Sequence, residues 1–187
     1  VVLRQLPVLD LHALRHLDDD RHGGGGHPGD TTGGRRPALV ARPPEVGERG
    51  RAGAVFGDLA RELDLVALRA SQINGCAFCV DMHVKQATIH GERALRLHHL
   101  ATWRESTLFV PRERAALAWT EALTTLAPGG VPDELYDRVR SQLSEQEVSD
   151  LTFEIMTINA WNRVNIAFKV VPGSYDKAFG LDKAALA

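Results

Sequence analysis

The sequence predicts an all-α protein, an antiparallel helical bundle, and three observations carry the prediction. Apolar residues recur at three- and four-residue spacing from about residue 53 onward. Each such stretch closes on a glycine, a proline or a capping pair. No alternating apolar–polar run longer than four residues lies between the turn signals, so no strand is expected. Short connections between the periodic stretches favour antiparallel neighbours.

The chain has 187 residues, one domain by size with an appended arm. Residues 1–51 form that arm. Leu6, Leu9, Leu14 and Leu17 suggest a short helix, and "RHGGGGHPGDTTGGRRPALVARPPEVGERGR" follows as a flexible linker. His22 and His27 flank its glycines and are expected to be solvated. The helical domain is expected over residues 52–187. In "AVFGDLARELDLVALRASQI", Leu59, Leu63, Val66 and Ile73 share a side, and Asn74-Gly75 ends the helix. A second helix should run from about Cys76 to His90 and stop at Gly91. The third, "ERALRLHHLATWRE", ends before "STLFVP", with His98 and His99 near its C-terminus, where cations are favourable. Pro111 fits the first position of "PRERAALAWTEALTTLA". Pro132 and Asp133 open "PDELYDRVRSQL". Ser144 and Glu147 make a capping box for the longest helix, "EQEVSDLTFEIMTINAWNRVNIAF".

A net charge of −2 and the absence of a basic stripe argue against nucleic acid as a partner. No apolar run reaches the ~20 residues of a membrane span. The opening "VVLRQLPVLDLH" lacks the pattern of a secretion signal, so a reducing cytoplasm is the expected compartment. There, a cysteine pair is more often catalytic or metal-binding than a structural staple.

The only two cysteines lie in "SQINGCAFCVDMHVKQA". At about 100° per residue, Cys79 falls about 60° from Cys76, and His83 about 40° from Cys79. All three therefore share one narrow helical face. A long helical side chain leans toward the helix N-terminus, which tips His83 over Cys79. Cys76 sits at the helix mouth, where unpaired N–H groups favour a thiolate. Two thiols and an adjacent base make a dithiol redox centre. Zinc is the rival reading. Cys76 and His83 lie about 10 Å apart along the axis, too far for a compact tetrahedron, and no second cysteine pair exists. No metal is therefore expected there. Two inert core thiols are the bland alternative. Asp64, twelve residues before Cys76, is the carboxylate expected to hold His83 or pass it protons. Glu62 lies about 200° around the same helix and should not serve that site.

These residues resemble a known family. "LVALRASQINGCAFCVDMHVKQA" looks like the core of the alkylhydroperoxidase D-like proteins of the carboxymuconolactone decarboxylase superfamily. "ERAALAWTEALT" and "SDLTFEIMTINAWNRVNIAF" resemble later helices of its peroxidase-related branch, so the likeness covers roughly residues 55–170. It implies an all-helical fold assembled as a homotrimer or homohexamer. It also implies a cofactor-free thiol peroxidase that takes a small-molecule peroxide and a dithiol reductant. In the family pattern Cys79 attacks the peroxide, Cys76 resolves the product into a disulfide, and His83 with the carboxylate at position 64 relays protons. The family has Glu where this chain has Asp64, one methylene shorter, and residues 1–50 do not resemble the family.

Two other functions compete. Lactone decarboxylation belongs to the same superfamily but needs no dithiol. A non-catalytic helical oligomer with a redox-sensing Cys pair is the reading from another class. Asn159, Asn162 and Asn165 repeat at three-residue spacing, which suggests a hydrogen-bonded buried row or a subunit contact. Trp103, Trp119 and Trp161 are expected in the core or an interface.

Overall fold

The computed structural model describes residues 52–186, with side chains from Arg61 onward. The arm, its short helix, its linker and its two histidines lie outside the described residues. Seven α-helices follow in order among the described residues: α1 (Ala52–Asn74), α2 (Ala77–Ile89), α3 (Ala94–His99), α4 (Pro111–Thr124), α5 (Asp133–Arg140), α6 (Glu145–Ala167) and α7 (Asp176–Phe179). Single 3₁₀ turns occupy Leu100–Thr102 and Leu181–Ala184. The described residues contain no strand.

The helix boundaries follow local chemistry. Gly75 takes φ +70°, a left-handed conformation open to glycine. With it, Gly75 N–H donates to Gln72 O at 3.2 Å and Cys76 N–H to Ser71 O at 3.1 Å. This is a Schellman closure, and it reverses the chain directly into α2. Gly91, at φ +84°, closes α2 the same way: Gly91 N–H donates to Thr88 O and Glu92 N–H to Ala87 O. Pro111 opens α4, and the Glu113 carboxylate accepts the Val110 N–H at 2.9 Å. The capping box of α6 is formed reciprocally, with Ser144 Oγ accepting from Glu147 N–H and Glu147 Oε2 from Ser144 N–H. The third helix is shorter than its sequence suggests. It tightens into a 3₁₀ turn after His99, and its Leu100 and Trp103 turn inward.

Helix α1 is central and packs against α2, α4 and α6. From Arg61 on, its residues are buried on nearly every side, as a surrounded helix requires. Leu65 and Leu68 join Leu100, Trp103, Phe109 and Leu117 in one cluster. Val66 faces a second cluster with Trp119, Val139, Leu151 and Ile155. Ala67 and Ala70 admit Ile158 of α6 at close range. Truncating a fully buried residue such as Leu68 to Ala would cost about 2–5 kcal/mol. This frame fixes α2, and with it the cysteines, against α1 and α6.

Candidate active site

Cys76 is the N-cap of α2, with extended backbone, and its Sγ accepts the Cys79 N–H at 3.3 Å. Cys79 stands in the first turn. The two are joined as a disulfide, with their Cα atoms 5.3 Å apart. Both are 1% exposed. Phe78, Met82, Val170 and Tyr175 pack around them. The helix mouth and the two-residue spacing thus produce the local bridge that the sequence suggests.

His83 is buried one turn beyond Cys79, and its Nδ1 has no hydrogen-bond partner among the described residues. Burial holds its pKa down to about 4, against a smaller upward pull from Gln86. The imidazole is therefore neutral at neutral pH in this oxidised state. A buried polar nitrogen without a partner is costly and calls for an explanation. A neutral imidazole beside a thiol pair can take up a thiol proton when the disulfide is reduced.

Asp64 does not meet His83 as expected. Its Oδ2 lies 2.6 Å from Nδ1 of His90. The reason is geometric. Asp64 and position 86 are each eleven residues from Gly75, so they stand level across the antiparallel pair. The Asp64 side chain leans toward the N-terminus of α1, away from the turn. The His90 side chain leans back toward it, and the two meet, whereas His83 leans away toward the cysteines. Burial raises the Asp64 pKa and the hydrogen bond with His90 opposes that rise. Sequence reasoning missed His90 because the level of one helix against its neighbour is set by the turn and the lean of side chains. Glu62 stands apart from the site, as its helical angle indicates, and pairs with Arg112 at 2.9 Å. It lines a cleft of about 810 Å³ with Arg61, Arg96, Glu113 and Glu147. No lining residue of that cleft belongs to the cysteine cluster.

The asparagines of α6 form a hydrogen-bonded row against the α1–α2 turn. Asn74 Nδ2 donates to Oδ1 of Asn159 and of Asn162, and fully buried Asn162 donates to Ser71 Oγ at 3.0 Å. Asn165 Nδ2 donates to Cys79 Sγ at 3.4 Å. The three-residue repeat pointed to a polar row, but its contact with a reactive sulfur was not legible from spacing.

The chain after α6 lies over the cysteines. Tyr175 meets Phe78 edge-on at 5.9 Å between ring centroids. Asp81 accepts the Gly173 N–H at 3.0 Å, and Lys85 bridges Asp81 and Asp176 at 2.8 and 2.7 Å. A groove of about 440 Å³ runs along α2 from Met82 past Gln86 to His90, with Phe179 and Leu181 on its far wall. It starts beside the cysteine cluster and ends at the Asp64–His90 pair. Among the described residues, no group of three or more His, Cys, Asp or Glu side chains could hold a metal ion.

Residues 54–122 match the carboxymuconolactone decarboxylase family. An uncharacterized protein of Bacillus subtilis, YdfG, is 45% identical over 104 residues, which cover 56% of this chain and 71% of that protein. The uncharacterized YnjA of Escherichia coli is 33% identical over 57% of this chain and 58% of its own length. A crystal structure from Agrobacterium tumefaciens superposes with a TM-score of 0.59 at 37% identity, covering 64% of this chain and 84% of that one. That protein is of unknown function, and its name suggests antioxidant defence of the AhpD kind. An uncharacterized peroxidase-related protein of a Silicibacter species shares the fold, with a TM-score of 0.55 at 21% identity over 65% of this chain and 68% of its own. The chain therefore belongs to the carboxymuconolactone decarboxylase family and has the AhpD-like helical fold.

Proposed function

We propose that this protein is a thiol-dependent peroxidase that reduces hydrogen peroxide or small organic hydroperoxides through the Cys76/Cys79 couple. The observation that carries the reading is the Cys76–Cys79 bridge at the mouth of α2, with the unpartnered His83 nitrogen one turn further on. In the reduced protein His83 takes the Cys79 proton, and the thiolate attacks a peroxide oxygen. The S–O bond forms as the O–O bond breaks, and the leaving alkoxide or hydroxide takes the proton back. The Cys76 thiolate then attacks the sulfenic sulfur. A disulfide forms and the oxygen departs as water, taking up the proton that the Cys76 thiol gave up. A dithiol reductant, itself oxidised to a disulfide, returns the pair to thiols. Asp64 takes part through His90, whose half-exposed ring lies at the far end of the groove. A reducing cytoplasm supplies the dithiol.

Burial of both sulfurs supports a second reading, a redox sensor that is oxidised slowly and turns nothing over. Steady-state peroxide consumption under several dithiol reductants separates the two. The peroxidase reading expects turnover that Cys79→Ser abolishes, and a single turnover that then stalls in Cys76→Ser. Bridge formation without turnover under every reductant would favour the sensor.

A further inference from the structure

The two sulfurs sit in different electrostatic surroundings. Cys76 Sγ accepts a backbone N–H of the helix mouth, at 3.3 Å. On that ground alone Cys76 would be the better stabilised thiolate. Among the described residues, Cys79 Sγ has no backbone donor. It has the carboxamide N–H of Asn165, supplied by a different helix, at 3.4 Å. Asn159 and Asn162 of the same row direct their side chains to other side chains and to backbone. Asn165 differs, for its one side-chain hydrogen bond among the described residues ends on Cys79 Sγ. Only the N–H end of a carboxamide suits an electron-rich sulfur. The row also fixes the aim of this donor. Asn162, three residues earlier, is fully buried and locked to Asn74 and Ser71 at the turn that launches α2. The position of α6 relative to the cysteines is thereby set one turn from Asn165.

We propose that Asn165 is a catalytic hydrogen-bond donor that selects Cys79, over the better-capped Cys76, as the sulfur that carries negative charge. The proposal rests on the dithiol peroxidase reading and adds a residue to it. In the forward step the Asn165 N–H stabilises the Cys79 thiolate before its sulfur bonds to the peroxide oxygen. In the return step a reductant thiolate attacks Cys76 Sγ and the S–S bond breaks. Cys79 leaves as a thiolate onto the same N–H, and better-stabilised leaving thiolates depart faster. One donor thus biases both halves of the cycle toward the same division of labour.

The test titrates each thiol alone. Cys79 is followed in Cys76→Ser and Cys76 in Cys79→Ser, by thiolate absorbance and by the pH dependence of alkylation. Each background is combined with Asn165→Ala and with the isosteric Asn165→Asp. A hydrogen bond to a charged group is strong enough to move a pKa by about 1–2 units. Asn165→Ala is expected to raise the Cys79 pKa by about that much and to leave Cys76 unmoved. Asn165→Asp, which sets an anion against the sulfur, should raise Cys79 further and decides the matter if the alanine variant does not fold. Asn159→Ala loosens the row without touching sulfur and should move neither thiol. Unchanged Cys79 titration in both Asn165 variants overturns the proposal, as does an equal shift of Cys76 and Cys79. The expected titrations in a protein that consumes no peroxide would overturn the peroxidase reading and leave the Asn165–Cys79 interaction standing.

Discussion

At the scale of single residues, His83 offers a measurable signature. Its folded-state pKa, about 4, lies below the ordinary 6.5 because burial disfavours the charged ring. Between those values the unfolded chain binds a proton that the folded chain refuses. Stability of the oxidised protein therefore falls as pH drops from about 6.5 to about 4, and this contribution is fully present above 6.5. The whole window corresponds to about 3 kcal/mol. Glu62, Asp64 and Glu154 have carboxyls raised by burial and contribute with the opposite sign. They are common to wild type and His83→Gln, so the difference between the two denaturation profiles isolates the histidine. A difference that does not vary across that window would contradict a buried neutral His83. Asp64→Asn is expected to lower peroxidase activity toward the small end of the ~100–10,000-fold range for acid–base help, because Asp64 acts through His90. Glu62→Gln, paired with Arg112 elsewhere, should leave turnover near wild type. Initial rates across pH for the two variants check this, and a crippled Glu62→Gln beside an active Asp64→Asn would reverse the assignment. The sequence placed Cys76, Cys79 and His83 on one face because helical angle depends only on residue number. It missed the Asp64–His90 pair and the Asn165–sulfur contact because both join different helices.

At the scale of elements, caps and breakers were legible wherever the chemistry is local. Gly75, Gly91 and the Ser144–Glu147 box end or start helices by satisfying nearby backbone groups, and Pro111 starts α4 because it brings no N–H to satisfy. The segment over the cysteines was not legible. Helix α7 is four residues long, carries no period and is held by distant partners. Two contacts hold the segment to α2: Asp81 accepts the Gly173 N–H, and Lys85 pairs with Asp176 of α7. Since a dithiol 1% exposed must be uncovered to react, local opening of this segment should limit access. Asp81→Ala removes the hydrogen bond from the Gly173 N–H, worth about 1 kcal/mol. Alkylation of the reduced thiols should then run roughly threefold to tenfold faster, while melting of the whole domain changes little. An unchanged alkylation rate would show that reagents reach the sulfurs by another path.

At the scale of the whole molecule, α6 keeps a stripe in solvent that a lone chain has no reason to keep. Phe153, Met156, Trp161, Val164 and Phe168 are 50, 57, 46, 36 and 73% exposed and fall within about 140° around the helix. Trp103 and Trp119 are core residues, whereas Trp161 belongs to this stripe. A contiguous apolar patch of this kind marks an association surface. We expect a homotrimer or homohexamer joined through it. Trp161→Glu should lower the sedimentation coefficient toward that of a single chain, and a wild-type monomer at micromolar concentration would contradict the assembly. The bundle itself was legible because helix period and caps recur along the chain, whereas an assembly depends on a partner surface that no period encodes. The central claim, that the two cysteines are one peroxide-reducing couple, is tested most directly by intact mass. Fully reduced protein is mixed with one equivalent of hydroperoxide, and the products are weighed without reductant. The account requires a fast loss of two hydrogens, one alcohol and one water released per hydroperoxide consumed, and recovery of the starting mass on adding a dithiol. A gain of one oxygen with both cysteines left unlinked, or no change in mass while peroxide persists, would contradict it.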